Sequence, residues 1–240
     1  MVYDASPLPR GTLLDTVVRL ARRALPLRCL ACGEPGDDGL DLCAACHAAL
    51  PLNRNACLRC ALPLAAPGTC GRCLSRPPPL HAVHAAFAYA APLDRLLPRY
   101  KFHQDLAAGH LLAQLMAHAL AGCERPQGLV PVPLHRARLR QRGYDQALEL
   151  ARPLASTLRL PLHVDLLQRV RATPAQSQLD ATARRRNLRG AFGVTGRPLP
   201  AHVALVDDVM TTGATLHAAA AALRRAGVAR VDAWVCARTP

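Results

Sequence analysis

Residues 203–215, with the sequence VALVDDVMTTGAT, constrain the fold more than any other stretch of this 240-residue chain. The apolar run 203–206 has the length and composition of a strand that is buried on both faces. Two aspartates follow it, then a turn rich in threonine and glycine, and then an alanine-rich helical stretch. Strand, turn and helix in this order are typical of α/β proteins, in which ligands bind beyond the carboxyl ends of the strands.

The turn at 211–215 has the composition of a phosphate-binding site. Small hydroxyl residues surround Gly213, and backbone N–H groups at the start of the next helix suit an anion. We expect Asp207 and Asp208 to end the strand, where they can accept hydrogen bonds from sugar hydroxyls or help to hold a divalent cation. The alternative is an ordinary strand–turn–helix unit with solvated acids. We favour the binding site because phosphate-binding and diol-binding groups occur together at the required spacing.

Strand-like and helical segments alternate from about residue 82 to the end of the chain. We expect strands near 85–90, 129–132, 163–170, 191–194, from 203, and at 231–237. We expect helices at 93–103, at 106–121, from about 146, and after the turn at 211–215. This alternation predicts an α/β domain with a largely parallel sheet.

Eight of the ten cysteines form four C-x-x-C pairs in the first third of the chain. The pairs are Cys29/Cys32, Cys43/Cys46, Cys57/Cys60 and Cys70/Cys73. A disulfide framework would fit a secreted chain, and a redox pair would need its own strand–helix context, so two four-cysteine zinc sites fit better. Such sites are structural, because four thiolates leave no open position for a substrate. Sequential pairing is the simplest assignment, but the spacing also allows interleaved pairing.

These features divide the sequence into three parts. Residues 1–28 contain an amphipathic helical pattern, 29–80 form the cysteine-rich module, and 81–240 form the α/β domain. The Arg-Pro-Pro-Pro tract at 76–79 marks the boundary between the last two. No apolar run is long enough to span a bilayer, and no secretory signal is visible, so we expect a cytoplasmic protein without membrane insertion.

The net charge of +14 predicts an anionic partner, either a polyphosphate sugar or a nucleic acid. Residues 81–240 carry 21 Lys and Arg against ten Asp and Glu, so most of the excess lies in the α/β domain. Basic side chains concentrate at 130–147 and 171–192. Any single arginine there could belong to a solvated basic face, but together with the phosphate turn the two segments favour a shared anion-binding cleft. Lys101 is the only lysine in the chain. We consider it a candidate ligand, because an ammonium is a compact point charge that a guanidinium does not mimic; the alternative is a solvated lysine on a helix face.

The order of these blocks resembles the ComF family of bacterial phosphoribosyltransferase-like proteins, which is linked to natural competence and the use of external DNA. The resemblance covers nearly the full length: CLACG with its paired C-x-x-C, YKFHQDLA at 100–107, VPVPLHRARLRQRGYDQA at 130–147, the segment 171–192 and VALVDDVMTTGATL. It implies a type I phosphoribosyltransferase fold, mainly a parallel sheet flanked by helices, behind an N-terminal double zinc ribbon.

The same resemblance implies a site for phosphoribosyl pyrophosphate (PRPP) with Mg²⁺. The 5′-phosphate would lie at Thr211 to Thr215, the ribose hydroxyls at Asp207 and Asp208, and the pyrophosphate at the loop after Val132. The segment around Thr173 would be a mobile loop. The implied PRPP-binding residues are Asp207, Asp208, Val209, Met210, Thr211, Thr212, Gly213, Ala214, Thr215, Lys101 and Arg142. The implied zinc ligands are the eight paired cysteines.

Two functions remain open at the level of sequence. One is a competence factor that binds PRPP and handles single-stranded DNA, with a ComFA-like helicase or other competence proteins as partners. The other is an active PRPP-dependent transferase with an unidentified acceptor. No nucleobase pocket or dedicated general base can be identified from the sequence, so no catalytic residue is assigned.

Overall fold

The computed structural model describes residues 27–37, 39–171, 188, 190–196 and 198–240. The predicted N-terminal amphipathic helix lies outside the described residues, apart from its last two positions. Most of the predicted mobile loop also lies outside them, including Thr173, Gln176 and the arginines from Arg184 to Arg189. Among the described residues, no helix is long and apolar enough to cross a bilayer.

The chain divides into two compact units, Met1–Ala48 and Ala49–Pro240. The described part of the first unit carries one short helix, α1 (Ala44–Ala48), and an antiparallel bridge between Arg28 and Pro35. Its second pair of cysteines lies at the start of α1. Of the residues described in this unit, only Cys29 and Leu42 are buried apolar side chains, so metal ligation is the expected source of stability there.

The second unit is built around a parallel sheet. Its described strands are β1 (Val83–Ala88), β2 (Gly128–Pro131), β3 (Leu167–Arg169), β4 (Phe192–Val194), β5 (His202–Met210) and β6 (Arg230–Arg238). Strands β1, β6, β5 and β2 lie side by side in that order and every neighbouring pair is parallel, whereas β3 and β4 form a separate antiparallel pair. The predicted α/β fold with a largely parallel sheet is confirmed.

Helices cover the sheet of the second unit. Those described are α2 (Gly71–Ser75), α3 (Leu93–Phe102), α4 (Leu106–Leu120), α5 (Arg136–Arg142), α6 (Gln146–Leu158) and α7 (Ala214–Ala226). Helices α4 and α6 pack against each other and against strands of the sheet, and α7 packs against β5 and β6. Leu216 and Leu223 of α7 share one buried cluster with Cys57 and Cys60. The second pair of C-x-x-C motifs is therefore part of the core of this unit.

Strand β5 continues further than the sequence predicts. The run Val203 to Val206 is fully buried, as expected, but the strand does not end at the aspartates and extends to Met210. Pairing with β6 accounts for the extension, since Met210 lies opposite Arg238 in the ladder. Aspartate disfavours strands in isolation, but tertiary pairing overrides that preference here.

A buried carboxylate holds the sheet together at the opposite end from the carboxyl termini of its strands. The Asp232 side chain accepts hydrogen bonds from the backbone N–H of Ala82 at 3.1 Å and from the Arg230 guanidinium at 2.9 Å, and its Oδ2 lies 2.8 Å from His202 Nε2. Burial disfavours the charged form, but Arg230 and His202 outweigh it and lower the pKa of Asp232. This network joins β1, β5 and β6 where those strands begin.

Candidate functional site

The two carboxylates near the end of β5 are held by the backbone that carries them. The backbone N–H of Asp208 donates to Asp207 Oδ1 at 2.9 Å, and that of Val209 donates to Asp208 Oδ1 at 2.7 Å. Asp208 is buried and Asp207 is partly buried. Burial raises the pKa of Asp207, and the neighbouring Asp208 carboxylate raises it further. Two acids this close are stable in their charged forms only with a cation nearby.

Lys101 supplies such a cation from α3. Its Nζ lies 2.8 Å from Asp208 Oδ2, and its side chain is 31% exposed. Burial disfavours the ammonium, but the attraction of Asp208, and then of Asp207, outweighs burial and raises the pKa of Lys101. The only lysine of the chain therefore stays protonated at neutral pH, beside the acidic pair.

The turn after β5 begins α7 in a conformation that requires glycine. Gly213 has a φ of +77°, and a Cβ added there would lie 2.4 Å from Met210 Cε. The Thr212 hydroxyl accepts a hydrogen bond from the backbone N–H of Ala214 at 3.4 Å, which fixes the tight bend. The first backbone N–H groups of a helix have no intrahelical acceptor, so the start of this 13-residue helix suits a phosphate.

The acidic pair and the turn open into one cleft of about 550 Å³. Among the residues of the predicted PRPP site, those that line the cleft are Lys101, Arg142, Asp207, Asp208, Val209, Thr211 and Thr215. The others do not line it: Met210 and Ala214 are buried in the core, while Thr212 and Gly213 shape the turn. The structure thus brings together seven of the eleven predicted residues, and the remaining four support the turn.

A short helix carries several of the cleft's cations. Helix α5 was not predicted, because its alternating arginines have no apolar period of their own, and it ends at Gly143 in the left-handed conformation. Arg138 and Arg142 line the cleft. Burial lowers the pKa of Arg138, and repulsion from Arg142 lowers it further. Like charges held this close together favour a ligand that carries several negative charges.

The Asp145 side chain holds the loop between β2 and α5 in place. Its Oδ2 accepts a hydrogen bond from the backbone N–H of Leu134 at 2.9 Å, and its Oδ1 accepts one from Leu148 at 3.2 Å. The same carboxylate therefore caps the N-terminus of α6 and holds the loop that follows Val132. Asp145 also lines the cleft.

The eight paired cysteines form two clusters, and both pair sequentially. The first contains Cys29, Cys32, Cys43 and Cys46; the second contains Cys57, Cys60, Cys70 and Cys73. Within each cluster all four sulfur atoms lie within 4.8 Å of one another. Zn–S bonds of about 2.3 Å in a tetrahedron place the sulfurs about 3.8 Å apart. The distances of 3.6 Å between Cys32 and Cys43 and 3.8 Å between Cys60 and Cys70 fit that geometry.

Backbone N–H groups prepare one thiol in each cluster for metal binding. Burial opposes ionisation of Cys57, but hydrogen bonds from the backbone of Cys70 and Arg59 outweigh it and lower its pKa to about 6. The same balance lowers the pKa of Cys29 to about 6. Since thiolate is the form that binds zinc, both clusters have the donor chemistry of a structural zinc site.

Comparison with known proteins finds two domain families in the chain. A double zinc ribbon domain matches residues 20–74, and a phosphoribosyl transferase domain matches residues 145–240. The DNA utilization protein YhgH of Salmonella typhimurium is 38% identical over 205 residues, which cover 82% of this chain and 90% of that protein. The chain belongs to the ComF family.

Two further ComF-family relatives carry competence names. Competence protein F of Haemophilus influenzae is 36% identical over 178 residues, covering 70% of this chain and 78% of that protein. Competence protein ComFC of Streptococcus pneumoniae is 27% identical over 154 residues, covering 64% of this chain and 67% of that protein. The predicted family and the predicted type I phosphoribosyltransferase fold with an N-terminal zinc ribbon are confirmed.

The cleft of this ComF-family chain has residues that the sequence did not identify. They are Tyr89, Leu97, Phe102, Asp145, Gln146, Arg169 and Thr239. Asp145 had a usable signal, since an acid directly before a helical stretch is a typical N-cap. Arg169 had none: it reaches the cleft only because β3 pairs with β4, where its guanidinium lies 5.7 Å from the centroid of the Phe192 ring.

The donor set at the end of β5 also fits Mg²⁺. Asp207 and Asp208 present hard carboxylate oxygens at the cleft, and phosphate oxygens from a ligand would complete the coordination. Magnesium bound in this way is expected to neutralise charge on the ligand's phosphates.

Proposed function

We propose that this protein binds PRPP with Mg²⁺ in the cleft of its second unit and acts in the use of external DNA. The observation that carries the proposal is the meeting of an acidic pair with a phosphate-suited turn in one cleft. Asp207 and Asp208 line it together with Thr211 and Thr215. A phosphate and a neighbouring diol on one molecule match these two groups together.

Each part of PRPP has a counterpart in the cleft. The 5′-phosphate accepts hydrogen bonds from the turn at 211–215 and the start of α7. The ribose hydroxyls donate to Asp207 and Asp208. The pyrophosphate lies along the loop after Val132, where Arg138 and Arg142 supply positive charge, and Asp145 holds that loop in place. Lys101 balances the acidic pair and remains close enough to contact a phosphate.

Turnover is a second candidate function, and the apolar side of the cleft favours it. Tyr89, Leu97 and Phe102 line the cleft together with the acidic pair. A ring-shaped acceptor packed on these side chains would share the cleft with the ribose. In a transfer reaction, a bond forms from the acceptor to C1 of the ribose while the bond to pyrophosphate breaks. The arginines and Mg²⁺ would stabilise the leaving group.

A binding titration tests the first proposal. PRPP is titrated into the full chain by calorimetry with Mg²⁺ present, and the same is done for the double variant Asp207→Asn, Asp208→Asn. We expect the double variant to bind at least about tenfold more weakly, because each hydrogen bond to a charged group contributes about 1.5–3 kcal/mol. Asp165→Asn is the matched control, since Asp165 is exposed and outside the cleft. Equal affinity of the double variant and the parent would contradict the assignment of the cleft.

We also propose that the surface around the cleft binds single-stranded DNA. Helix α5 presents Arg136 and Arg140 to solvent, and Phe102 at the cleft is 66% exposed. Exposed arginines beside an exposed aromatic ring suit a strand whose phosphates are neutralised and whose bases stack. A ComFA-like helicase, or another competence protein, would be the partner that delivers or receives this strand. Four-cysteine zinc sites need reduced thiols, which suits a cytoplasmic location.

The salt dependence of DNA binding tests this second part. Affinity for a single-stranded oligonucleotide is measured between about 50 and 200 mM salt for the parent and for Arg136→Gln, Arg140→Gln. We expect binding to weaken with salt, and the variant to show a smaller slope by about 1.4, since each phosphate contact contributes about 0.7. Arg224→Gln, Arg225→Gln on α7 is the matched control. An unchanged slope in the α5 variant would remove this surface from consideration.

A further inference from the structure

A buried arginine connects the second cysteine cluster to the phosphate turn. Arg238 is the last residue of β6 and is only 3% exposed. Among the described residues it forms no ion pair with a carboxylate. A buried guanidinium without an acidic partner is unusual, because an unpaired buried charge is costly. Its hydrogen-bond partners indicate what it does instead.

Arg238 reaches two parts of the second unit with one side chain. Its Nε donates to the backbone carbonyl of Cys60 at 2.9 Å, and its Nη1 donates to that of Met210 at 3.1 Å. Nη1 also donates to the backbone carbonyl of Thr239. Cys60 is a ligand of the second cluster, whereas Met210 is the final residue of β5. A single rigid group therefore spans from a zinc ligand to the residue before the turn.

The position of Met210 affects the turn at 211–215 in two ways. Its backbone leads directly into Thr211, which lines the cleft. Its side chain lies against Gly213, as shown by the 2.4 Å separation between Met210 Cε and a Cβ placed on that glycine. The backbone N–H of Thr239 donates to the same Met210 carbonyl at 3.1 Å. The carbonyl of Met210 is thus fixed by several donors, all from the end of β6.

A zinc-loaded second cluster would place negative charge near Arg238. Four thiolates around one Zn²⁺ carry a net charge of −2. Cys60, Cys70 and Cys73 all interact electrostatically with the Arg238 guanidinium. The loaded cluster is therefore the counter-charge of this buried arginine.

We propose that Arg238 is a positioning residue that couples zinc occupancy of the second cluster to the geometry of the phosphate turn. Zinc in that cluster holds the Cys60 carbonyl in place, and Arg238 then holds Met210 and the turn at 211–215. Because linkage is reciprocal, a phosphate ligand at the turn also tightens zinc retention in the second cluster. This part rests on the proposed binding of PRPP. The ordering of the turn by zinc does not.

The first test needs no ligand. Hydrogen–deuterium exchange of residues 211–215 is measured in the full chain, zinc-loaded and after partial removal of zinc by a chelator. We expect loss of zinc from the second cluster to speed exchange at the turn at least about fivefold in the parent, the lower end of typical couplings. In Arg238→Met the turn exchanges fast with or without zinc. Exchange that is slow in Arg238→Met, or unchanged by zinc in the parent, overturns the inference.

The second test measures the reciprocal effect. Zinc release to a chromogenic chelator is followed in the full chain with and without saturating PRPP and Mg²⁺. We expect PRPP to slow the release of one zinc at least about fivefold and to leave the other unchanged. Cys29→Ser with Cys32→Ser identifies the unchanged one as the first cluster. Arg238→Met loses the effect, whereas the matched control Arg224→Met, with an exposed arginine on α7, retains it.

The outcomes separate the two proposals. A parent that binds no PRPP contradicts the proposed function, and the exchange experiment then decides the inference alone. A parent that binds PRPP but releases both zinc ions at rates independent of PRPP contradicts the coupling only. If Arg238→Met does not fold, Arg238→Lys replaces it in both tests. That variant keeps the charge, but its single ammonium lacks the planar fork that reaches both carbonyls, so we expect it to lose the coupling.

Discussion

The two cysteine clusters share one sequence pattern but lie in different surroundings. In the second cluster three of the four cysteines are buried, and the cluster belongs to the hydrophobic core that also contains β5, β6 and α7. In the first cluster only Cys29 is buried, and the cluster lies in a separate compact unit. The backbone N–H of Val83, at the start of β1, donates to the carbonyl of Leu58 beside the second cluster. A repeated motif has thus become part of the unit that carries the cleft in one copy only.

The largest difference is expected when each cluster is removed in turn. Cys57→Ser with Cys60→Ser should lower the thermal unfolding temperature of the second unit by about 10 °C or more, because metal ligation contributes folding free energy to the core that contains this cluster. Cys29→Ser with Cys32→Ser should leave the thermal unfolding of that unit within about 2 °C of the parent. Circular dichroism and zinc content of both variants check this. An equal loss of stability in the two variants would show that both clusters contribute equally to the folding of the second unit.

A smaller effect on stability is expected when the buried Asp232 is changed and both cysteine clusters are left intact. Asp232→Asn is expected to lower the free energy of unfolding by about 3 kcal/mol at neutral pH, because it leaves Arg230 and His202 without their buried partner. The folded pKa of Asp232 is lowered, so its contribution is complete above the unfolded value of about 3.9 and is lost as pH falls through the folded value. Urea unfolding of parent and variant should therefore converge below pH 4.

The control for this prediction is Glu124→Gln. Glu124 also pairs with Arg230, at 2.6 Å, but its side chain is 65% exposed. Exposed ion pairs contribute less than about 1 kcal/mol, so the variant should differ little from the parent at any pH. A loss as large as that of Asp232→Asn would mean that Arg230, and not the buried carboxylate, determines the stability of this end of the sheet.

The smallest effect should come from the cleft itself, where neither cluster changes. Lys101→Met is expected to weaken PRPP binding about tenfold while the zinc content stays close to that of the parent. The physical reason is the loss of the cation that faces Asp208 at 2.8 Å. Calorimetry of the variant beside Arg225→Met, an exposed arginine at the end of α7, measures the difference. Unchanged affinity would assign Lys101 to folding alone.

Local patterns in the sequence were sufficient to predict the parallel sheet and both cysteine clusters. The buried run of β5 and the alternation of strands and helices predicted the parallel sheet, and the C-x-x-C spacing predicted both clusters. The spacing did not determine which two C-x-x-C pairs share a metal site, because each pair supplies its two thiolates in the same way with any other pair. The structure shows the sequential arrangement.

What the sequence did not show depends on contacts between distant segments. Arg169 reaches the cleft through the pairing of β3 with β4. The role inferred for Arg238 depends on its hydrogen bond to Cys60, which lies 178 positions away in the sequence. Strand β5 extends through two aspartates because β6 pairs with it as far as Met210. Such arrangements follow from tertiary packing, and no period or propensity in the surrounding sequence encodes them.

The solitary lysine makes the cleft directly observable. Apart from the α-amino group, Lys101 is the only amine of the chain, so reductive methylation with ¹³C-formaldehyde would label one side chain, at the acidic pair. A single methyl resonance would then report the state of the cleft in the intact protein. Binding of sugar phosphates, metal ions or oligonucleotides would be visible at one atom, without a tag or an engineered residue.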